Sequence, residues 1–327
     1  MKSEDCEMIP QIKIWLRSVV FAMSCSIALS FGATSGVGEV HYKSSADHTL
    51  QPAMFYAPEK SDAVPLLVVL HTWHGDYKQT YHSACADWCL KNDWAYLHPN
   101  FRGPYTKPEA TGSELAIQDI ADGVDYAKHA TKIDGSRIYL LGTSGGGYTA
   151  LLMAGRRPNI WAGVSAWVPI SDLAAWYGEI KKSGREDCED VSRSCGGPPG
   201  ASKEVDREYR ARSPLSYLEH ARGLPLDINA GIRDGHDGSV PISHSLRAFN
   251  AVAATEDRIS PEDIRFFVDE AAVPPQLRRP ISDPTYGDKR ALFRRSSGAV
   301  RVTIFQGSHE LVPRAALEWL SQQRKKD

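Results

Sequence analysis

Residues 140–147 have the sequence LLGTSGGG, and this stretch decides the fold that we expect for the rest of the chain. It joins a run that favours a strand, residues 137–141, to a run that favours a helix, residues 148–155, through the pattern Gly-x-Ser-x-Gly. A serine at such a junction is typical of a nucleophile elbow, because the flanking glycines let strand and helix approach closely. The sequence therefore predicts Ser144 as a nucleophile at the N-terminus of a helix, where free N–H groups favour negative charge.

The bulk composition excludes several classes of protein. Of 327 residues, 42% are hydrophobic and 24% are charged, with a formal net charge of -2 at pH 7. These values are those of an ordinary globular protein, and the length fits one α/β domain with insertions. Because the sequence has neither an overall basic charge nor an acidic tail, we expect no nucleic-acid partner.

The N-terminal segment, residues 1–35, is predicted to be a secretory signal peptide. Lys13 and Arg17 precede an apolar run at residues 19–31, and small residues follow it. The run is short for a membrane span, so we expect no stable membrane insertion after cleavage; an uncleaved anchor is the alternative. This predicts a secreted or periplasmic protein with one domain over residues 36–327.

Four cysteines follow the predicted signal peptide, and an even number in an exported protein permits two disulfides. Cys188 and Cys195 flank a short polar stretch and are the expected pair. Cys85 and Cys89 are spaced by one helical turn, which leaves either a strained disulfide or two buried thiols. Cys-x3-Cys alone does not predict a metal site.

Strand-like runs alternate with amphipathic helical runs along the chain. The predicted strands are residues 38–43, 54–57, 64–70, 94–97, 137–141, 161–168, 225–230 and 299–305. The predicted helices are residues 79–91, 113–130, 148–155, 242–253 and 310–322. This alternation predicts an α/β fold with a doubly wound, mostly parallel sheet. Two stretches without periodicity, residues 181–212 and 256–298, are predicted to be insertions over the carboxyl edge of the sheet.

Two further residues would complete a catalytic triad with Ser144. A serine hydroxyl becomes a strong nucleophile only when a histidine, held by a carboxylate, takes its proton. His309 follows the last predicted strand, and Asp234 and Asp237 both follow the strand at residues 225–230. We favour Asp234, because its distance from the strand end sets where the carboxylate points and a loop can absorb extra residues after it. Asp237 remains the alternative.

The chain resembles the prolyl-oligopeptidase-like branch of the α/β-hydrolases. The resemblance covers most of residues 65–320 and is carried by the elbow, the aspartate loop at residues 231–241, the segment Gly-Ser-His-Glu at 307–310 and the Phe-Arg-Gly turn at 101–103. It implies an α/β-hydrolase fold and the chain order Ser, Asp, His. In the family, one aspartate both ends the pattern Gly-x-x-Asp and begins the pattern Asp-x-x-Val-Pro. Here residues 231–234 match the first pattern and residues 237–241 match the second, which predicts three inserted residues in this loop.

The resemblance also implies a class of activity, because the family includes peptidases and carboxylesterases, among them enzymes that act on polysaccharides. We expect no N-terminal propeller ahead of the domain, and the paired glutamates of dipeptidyl peptidases have no counterpart. The sequence therefore predicts a secreted serine hydrolase that cleaves carboxylic esters of carbohydrates or small polar molecules through an acyl-enzyme. A serine peptidase is the alternative, and a non-catalytic binding protein of the same fold is the second.

An oxyanion hole requires two N–H donors, and the fold predicts one at Gly145 and one in the loop after residues 64–70. Trp73 is the favoured second donor and Thr72 the alternative. Substrate contacts are predicted for side chains near the carboxyl edge: Trp73, His74, Arg102, Trp167 and Trp176. The aromatic rings would stack on a sugar, and the arginine would bind a carboxylate such as that of a uronic acid. No cofactor and no metal are predicted, and the sequence leaves the oligomeric state open.

Overall fold

A computed structural model describes residues 36–325 of the chain. The predicted signal peptide lies outside the described residues, so it stays a prediction. Within residues 36–325, no helix has both the length and the apolar character needed to cross a bilayer.

A nine-stranded sheet organises this part of the chain. Its strands are β1 (Gly38–Lys43), β2 (Leu50–Tyr56), β3 (Val64–Leu70), β4 (Ala95–Pro99), β5 (Ile133–Thr143), β6 (Gly163–Trp167), β7 (Leu226–Gly231), β8 (Ala291–Ser297) and β9 (Val300–Phe305). Their spatial order is β1-β2-β4-β3-β5-β6-β7-β9-β8. The pairs from β4 through β3, β5, β6 and β7 to β9 are parallel, and the outer pairs are antiparallel.

Helices cover both faces of the sheet. They are α1 (Ser83–Lys91), α2 (Glu114–Ala130), α3 (Gly145–Arg156), α4 (Leu173–Lys182), α5 (Asp187–Cys195), α6 (Lys203–Arg212), α7 (Ser243–Val252), α8 (Pro261–Glu270) and α9 (Pro313–Ser321). One core packs α2, α3 and α7 on the sheet, and a second packs α1 and α9 on its opposite face. Alternate residues of β3 enter the two cores, which is why this strand is a continuous apolar run. The predicted α/β-hydrolase fold is confirmed.

Chain order and strand order together place the site. The chain leaves β3 to form β4 on one side and returns to form β5 on the other. Loops after the carboxyl ends of β3 and β5 therefore lie side by side, as ligand sites do in open α/β sheets. The loops after β7 and β9 reach the same edge, because these strands are parallel to β5.

The two predicted insertions contain regular structure. Residues 181–212 hold the end of α4 and all of α5 and α6, and residues 256–298 hold α8 and the edge strand β8. Helix α5 buries only a few side chains between charged neighbours and is followed by a Gly-Gly-Pro-Pro stretch. So short an apolar face gives too few repeats for the sequence to show a helical period.

The expected disulfide between Cys188 and Cys195 is wrong. Both residues belong to α5 and are seven positions apart, and all four cysteines of the described chain are free. Seven helical residues separate Cα atoms by about 10.5 Å, beyond the reach of a disulfide. Cys85 and Cys89 are buried thiols in α1, and burial raises the pKa of Cys85 to about 12.

Candidate active site

Ser144 occupies the sharp turn between β5 and α3. Its backbone has φ 58° and ψ -119°, a conformation that L-residues rarely adopt and that costs about 1–3 kcal/mol. The close packing explains the glycines on either side. A Cβ at Gly142 would lie 2.1 Å from the carbonyl oxygen of Gly146, and one at Gly146 would lie 2.4 Å from that of Leu70.

Three side chains from three loops meet at this turn. The Oγ of Ser144 lies 2.8 Å from Nε2 of His309, in the loop after β9. The Nδ1 of His309 lies 3.0 Å from each carboxylate oxygen of Asp234, in the loop after β7. Since Nδ1–H donates to the carboxylate, Nε2 is free to accept the serine proton. The structure brings together the three residues that the sequence selected.

The two candidate acids lie in different surroundings. Asp234 is buried, and its Oδ1 also accepts the backbone N–H groups of Gly235 at 3.1 Å and Val240 at 3.2 Å. The side chain of Asp237 is half exposed and pairs with Arg233, whose Nη2 lies 2.9 Å from its Oδ1. The arginine lowers the pKa of Asp237. Only Asp234 contacts the histidine, as the favoured assignment requires.

The backbone amides of Gly145 and Trp73 lie close to each other beside the serine. A Cβ built at Gly145 would be 2.7 Å from the Trp73 nitrogen, so only glycine permits this approach. Within residues 36–325, neither amide donates a hydrogen bond to a protein group. The amide of Thr72, the alternative donor, is already bonded to Oε1 of Gln79. These two unengaged N–H groups, that of Gly145 at the N-terminus of α3 and that of Trp73 in the loop after β3, can therefore stabilise an oxyanion.

Aromatic packing holds the loop that carries Trp73. Its indole stacks on Tyr105 at 4.9 Å between ring centroids, and its backbone carbonyl accepts the Tyr105 N–H. In the same loop, the buried His71 stacks on Phe101 at 4.1 Å. Trp73 as a residue is only 5% exposed, so most of its surface packs against protein.

Arg102 is already paired with carboxylates of the chain, so the structure does not support its predicted contact with a substrate carboxylate. Its Nε lies 2.6 Å from the buried carboxylate of Asp119, and its Nη1 lies 2.6 Å from Asp47. Both Phe101 and Arg102 have positive φ angles, so this ionic network fixes a strained turn beneath His71. The role of Arg102 is therefore structural.

The predicted sugar-stacking role of Trp167 is wrong, and that of Trp176 is not supported by its burial. Trp167 is fully buried, donates to Oγ of Ser165 and packs near Phe305 in the core on the α1 and α9 face. Trp176 is 2% exposed and meets Trp73 edge-on. Its Nε1 donates to the carbonyl oxygen of Ser239, so it supports the aspartate loop.

The exposed His74 has carboxylate neighbours that the sequence could not place beside it. Its Nε2 lies 3.1 Å from Asp190 and 3.6 Å from Asp187, both in α5. The three ligand atoms lie within 4.8 Å of one another, close enough for a cation. However, Arg185 pairs with Asp187 and Arg193 pairs with Asp190, so both carboxylates already have cationic partners. We assign no metal to this cluster.

Ser239 is a neighbour of the triad that sequence reasoning missed. Its Oγ lies 3.3 Å from Nε2 of His309, the same nitrogen that contacts Ser144. Its position in the aspartate loop, just before the Val-Pro pair, was the only signal available. The hydroxyl can donate to or accept from the imidazole as the proton moves.

Comparison with known proteins shows which family this part of the chain matches. Residues 111–270, which contain Ser144 and Asp234, match the model of the prolyl oligopeptidase family. This part of the chain belongs to the prolyl oligopeptidase family. Members of this α/β-hydrolase family are serine hydrolases, so the predicted resemblance is confirmed.

The individual proteins that match this chain have low sequence identity to it. A curated relative, acylamino-acid-releasing enzyme 2 of Oryza sativa subsp. japonica, is 24% identical over 212 residues, which is 61% of this chain and 27% of that protein. The chain thus spans about a quarter of the length of this relative.

Two solved structures share the fold at low sequence identity. An acylaminoacyl peptidase from Pyrococcus horikoshii superposes with a TM-score of 0.53 at 17% identity, covering 66% of this chain and 35% of that one. A puromycin hydrolase superposes with a TM-score of 0.59 at 17% identity, covering 88% of this chain and 38% of that one.

Proposed function

We propose that this chain is a serine peptidase that releases an aminoacyl or N-acylaminoacyl group from short peptides through an acyl-enzyme. The observation that carries the proposal is the hydrogen-bonded series Ser144, His309 and Asp234, beside the unengaged amides of Gly145 and Trp73. Such an arrangement suits acyl transfer from a carbonyl carbon.

In the first half of the reaction, the Oγ of Ser144 bonds to the carbonyl carbon of the substrate while its proton moves to Nε2 of His309. The electron pair of the carbonyl moves to its oxygen, where the N–H groups of Gly145 and Trp73 stabilise the negative charge. The C–N bond then breaks, and Nε2–H of His309 gives its proton to the departing amine. Amines leave poorly without this proton, so amide cleavage depends on the histidine as a general acid.

In the second half, a water molecule replaces the amine. His309 takes one proton from the water as its oxygen bonds to the acyl carbon, and the same oxyanion donors stabilise the second tetrahedral intermediate. Collapse of this intermediate breaks the bond to Oγ, and His309 returns the proton to Ser144. The carboxylate of Asp234 accepts the hydrogen bond from Nδ1–H of His309 and stabilises the imidazolium in both halves.

Two lines of support favour a peptide over a carbohydrate ester, the substrate class that the sequence suggested. Two of the three similar proteins named above are an acylamino-acid-releasing enzyme and an acylaminoacyl peptidase. In addition, the side chains expected to hold a sugar or a uronic acid are engaged elsewhere: Trp167 is in the core, Trp176 is buried and Arg102 is paired. The features that suggested a carbohydrate therefore have structural explanations.

The proposal is tested by comparing kcat/KM for three substrate classes on one preparation. These are aminoacyl p-nitroanilides, their N-acetylated forms, and carbohydrate esters represented by an acetylated sugar and methyl-esterified pectin. We expect at least one anilide class to be hydrolysed faster than both esters, and Ser144→Ala to abolish each activity. Faster turnover of the carbohydrate esters would overturn the peptidase assignment in favour of the esterase.

A further inference from the structure

A series of four hydrogen bonds connects the oxyanion loop (residues 71–74) with the nucleophile elbow. The backbone N–H and the Oγ1 of Thr72 each lie 3.1 Å from Oε1 of Gln79. The Nε2 of Gln79 lies 3.1 Å from Nδ1 of His82, and Nε2 of His82 lies 3.2 Å from Oγ1 of Thr143. Thr72 precedes Trp73 in the chain and Thr143 precedes Ser144, so the series ends one residue from each reacting element.

The direction of every bond in the series is fixed by its first member. The N–H of Thr72 can only donate, so the oxygen of the Gln79 amide faces Thr72 and its NH2 group faces His82. The Nδ1 of His82 must therefore accept, which leaves the proton of the neutral imidazole on Nε2. That N–H donates to the hydroxyl of Thr143.

Burial makes this arrangement stable against competing partners. His82 and Thr143 are each 1% exposed, and burial lowers the pKa of His82 to about 3, so its ring stays neutral at neutral pH. The Gln79 side chain also requires a glycine at position 75, because a Cβ there would lie 1.7 Å from Oε1 of Gln79. An amide and an imidazole in fixed orientation form a rigid spacer.

We propose that Gln79 and His82 are positioning residues that set the separation between the Trp73 amide and Ser144 by tying Thr72 to Thr143. The inference rests on the proposed function, since it assigns to the series a role in stabilising the oxyanion. Neither residue touches the substrate. Their loss would move one oxyanion donor relative to the nucleophile, and a misplacement of about 1 Å can lower the rate by about 10²-fold.

The test compares substitutions that break the series with a matched buried histidine outside it. Gln79→Met removes three of the four hydrogen bonds, His82→Phe removes two and Thr143→Val removes one, so each variant interrupts the series. Thr143→Ser retains the hydroxyl. His98→Phe is the control, because His98 is a buried histidine whose ring contacts that of His82 edge-on at 6.0 Å and whose Nε2 has no partner in the described chain. Turnover of the anilide is expressed per active site titrated with a fluorophosphonate, so misfolded molecules do not count.

The three link-breaking variants are expected to lower kcat by about 10- to 100-fold while KM changes by less than about threefold. Thr143→Ser and His98→Phe should keep kcat within about threefold of wild type. The double variant Gln79→Met with Thr143→Val should lose no more than the worse single variant, because one broken link disables the series. An unchanged kcat per titrated site, even with lowered thermal stability, would overturn the inference and leave the series a purely structural role.

A second measurement does not depend on the variants folding. The 15N chemical shifts of the His82 ring in the wild-type protein should report an Nε2–H tautomer, and a proton on Nδ1 would overturn the inference. If the wild type is neither labelled nor active, the proposed function and the inference both fall. If it is labelled and active but insensitive to loss of the series, only the inference falls.

Discussion

Replacing Asp234 by asparagine is expected to switch the tautomer of His309 and nearly abolish catalysis. The Oδ1 of Asp234 accepts two backbone N–H groups, those of Gly235 and Val240. An asparagine would keep its oxygen in that position, and its NH2 group would then occupy the position of Oδ2 and donate to Nδ1 of His309. The histidine proton would move to Nε2 and point at Ser144, so the base could not accept the serine proton.

The expected loss of kcat is that of an enzyme that lacks its general base but keeps its oxyanion donors. Such a tautomer change lowers kcat by about 10⁴-fold, equivalent to about 5.4 kcal/mol of transition-state stabilisation. KM should change little, because Asp234 is buried and the oxyanion donors stay in place. The assay is steady-state hydrolysis of the preferred anilide by Asp234→Asn, with Asp237→Asn as the matched control.

The control separates the two candidate acids. Asp237 contacts Arg233 at the surface, so Asp237→Asn should keep kcat within about threefold. An Asp234→Asn variant that keeps more than a tenth of wild-type turnover, or an equal loss in the two variants, would show that Asp234 does not set the tautomer of His309.

Three further outcomes are expected. Ser144→Gly should have a melting temperature about 2–4 °C above that of Ser144→Ala in differential scanning calorimetry, because glycine relieves about 1 kcal/mol of the backbone strain at φ 58°. An equal or lower melting temperature would show that the backbone of Ser144 is not strained. Arg102→Met should lower the free energy of unfolding by about 3–5 kcal/mol in urea titrations, since it leaves the buried Asp119 charge unpaired; a selective rise in KM for acidic substrates would restore the clamp hypothesis. The pKa of His82 is about 3 in the folded protein and about 6.5 in the unfolded chain. Between these pH values only the unfolded chain protonates the His82 ring, so the free energy of unfolding falls as the pH is lowered. Urea titrations of His82→Gln between pH 7 and 4 should show a slope smaller by up to about 1.4 kcal/mol per pH unit, and an unchanged slope would contradict the buried neutral ring.

The sequence could predict the parts of the site that local rules determine. The glycines beside Ser144 are required by contacts between β5, α3 and β3, and His309 and Asp234 each follow a parallel strand. Since parallel strands end at one sheet edge, chain order was enough to bring these residues together.

The substrate residues could not be predicted in the same way, because they depend on which face a side chain takes and on partners far away in the chain. Strand β6 is buried on both faces, so no polar alternation indicated that Trp167 enters the core on the α1 and α9 face. Arg102 pairs with Asp47 and Asp119, which are 55 and 17 positions away in the sequence, and no local pattern encodes such contacts. Short charged helices such as α5 gave no period, so the acids beside His74 were unforeseen.

We propose that Ser144 is a nucleophile activated by His309 and Asp234. Intact-protein and peptide mass spectrometry after treatment with a fluorophosphonate tests it most directly. We expect a single adduct on the peptide that contains Ser144, absent from Ser144→Ala and formed far more slowly by Asp234→Asn. No adduct on the wild-type protein, or an adduct on another residue that persists in Ser144→Ala, would contradict it.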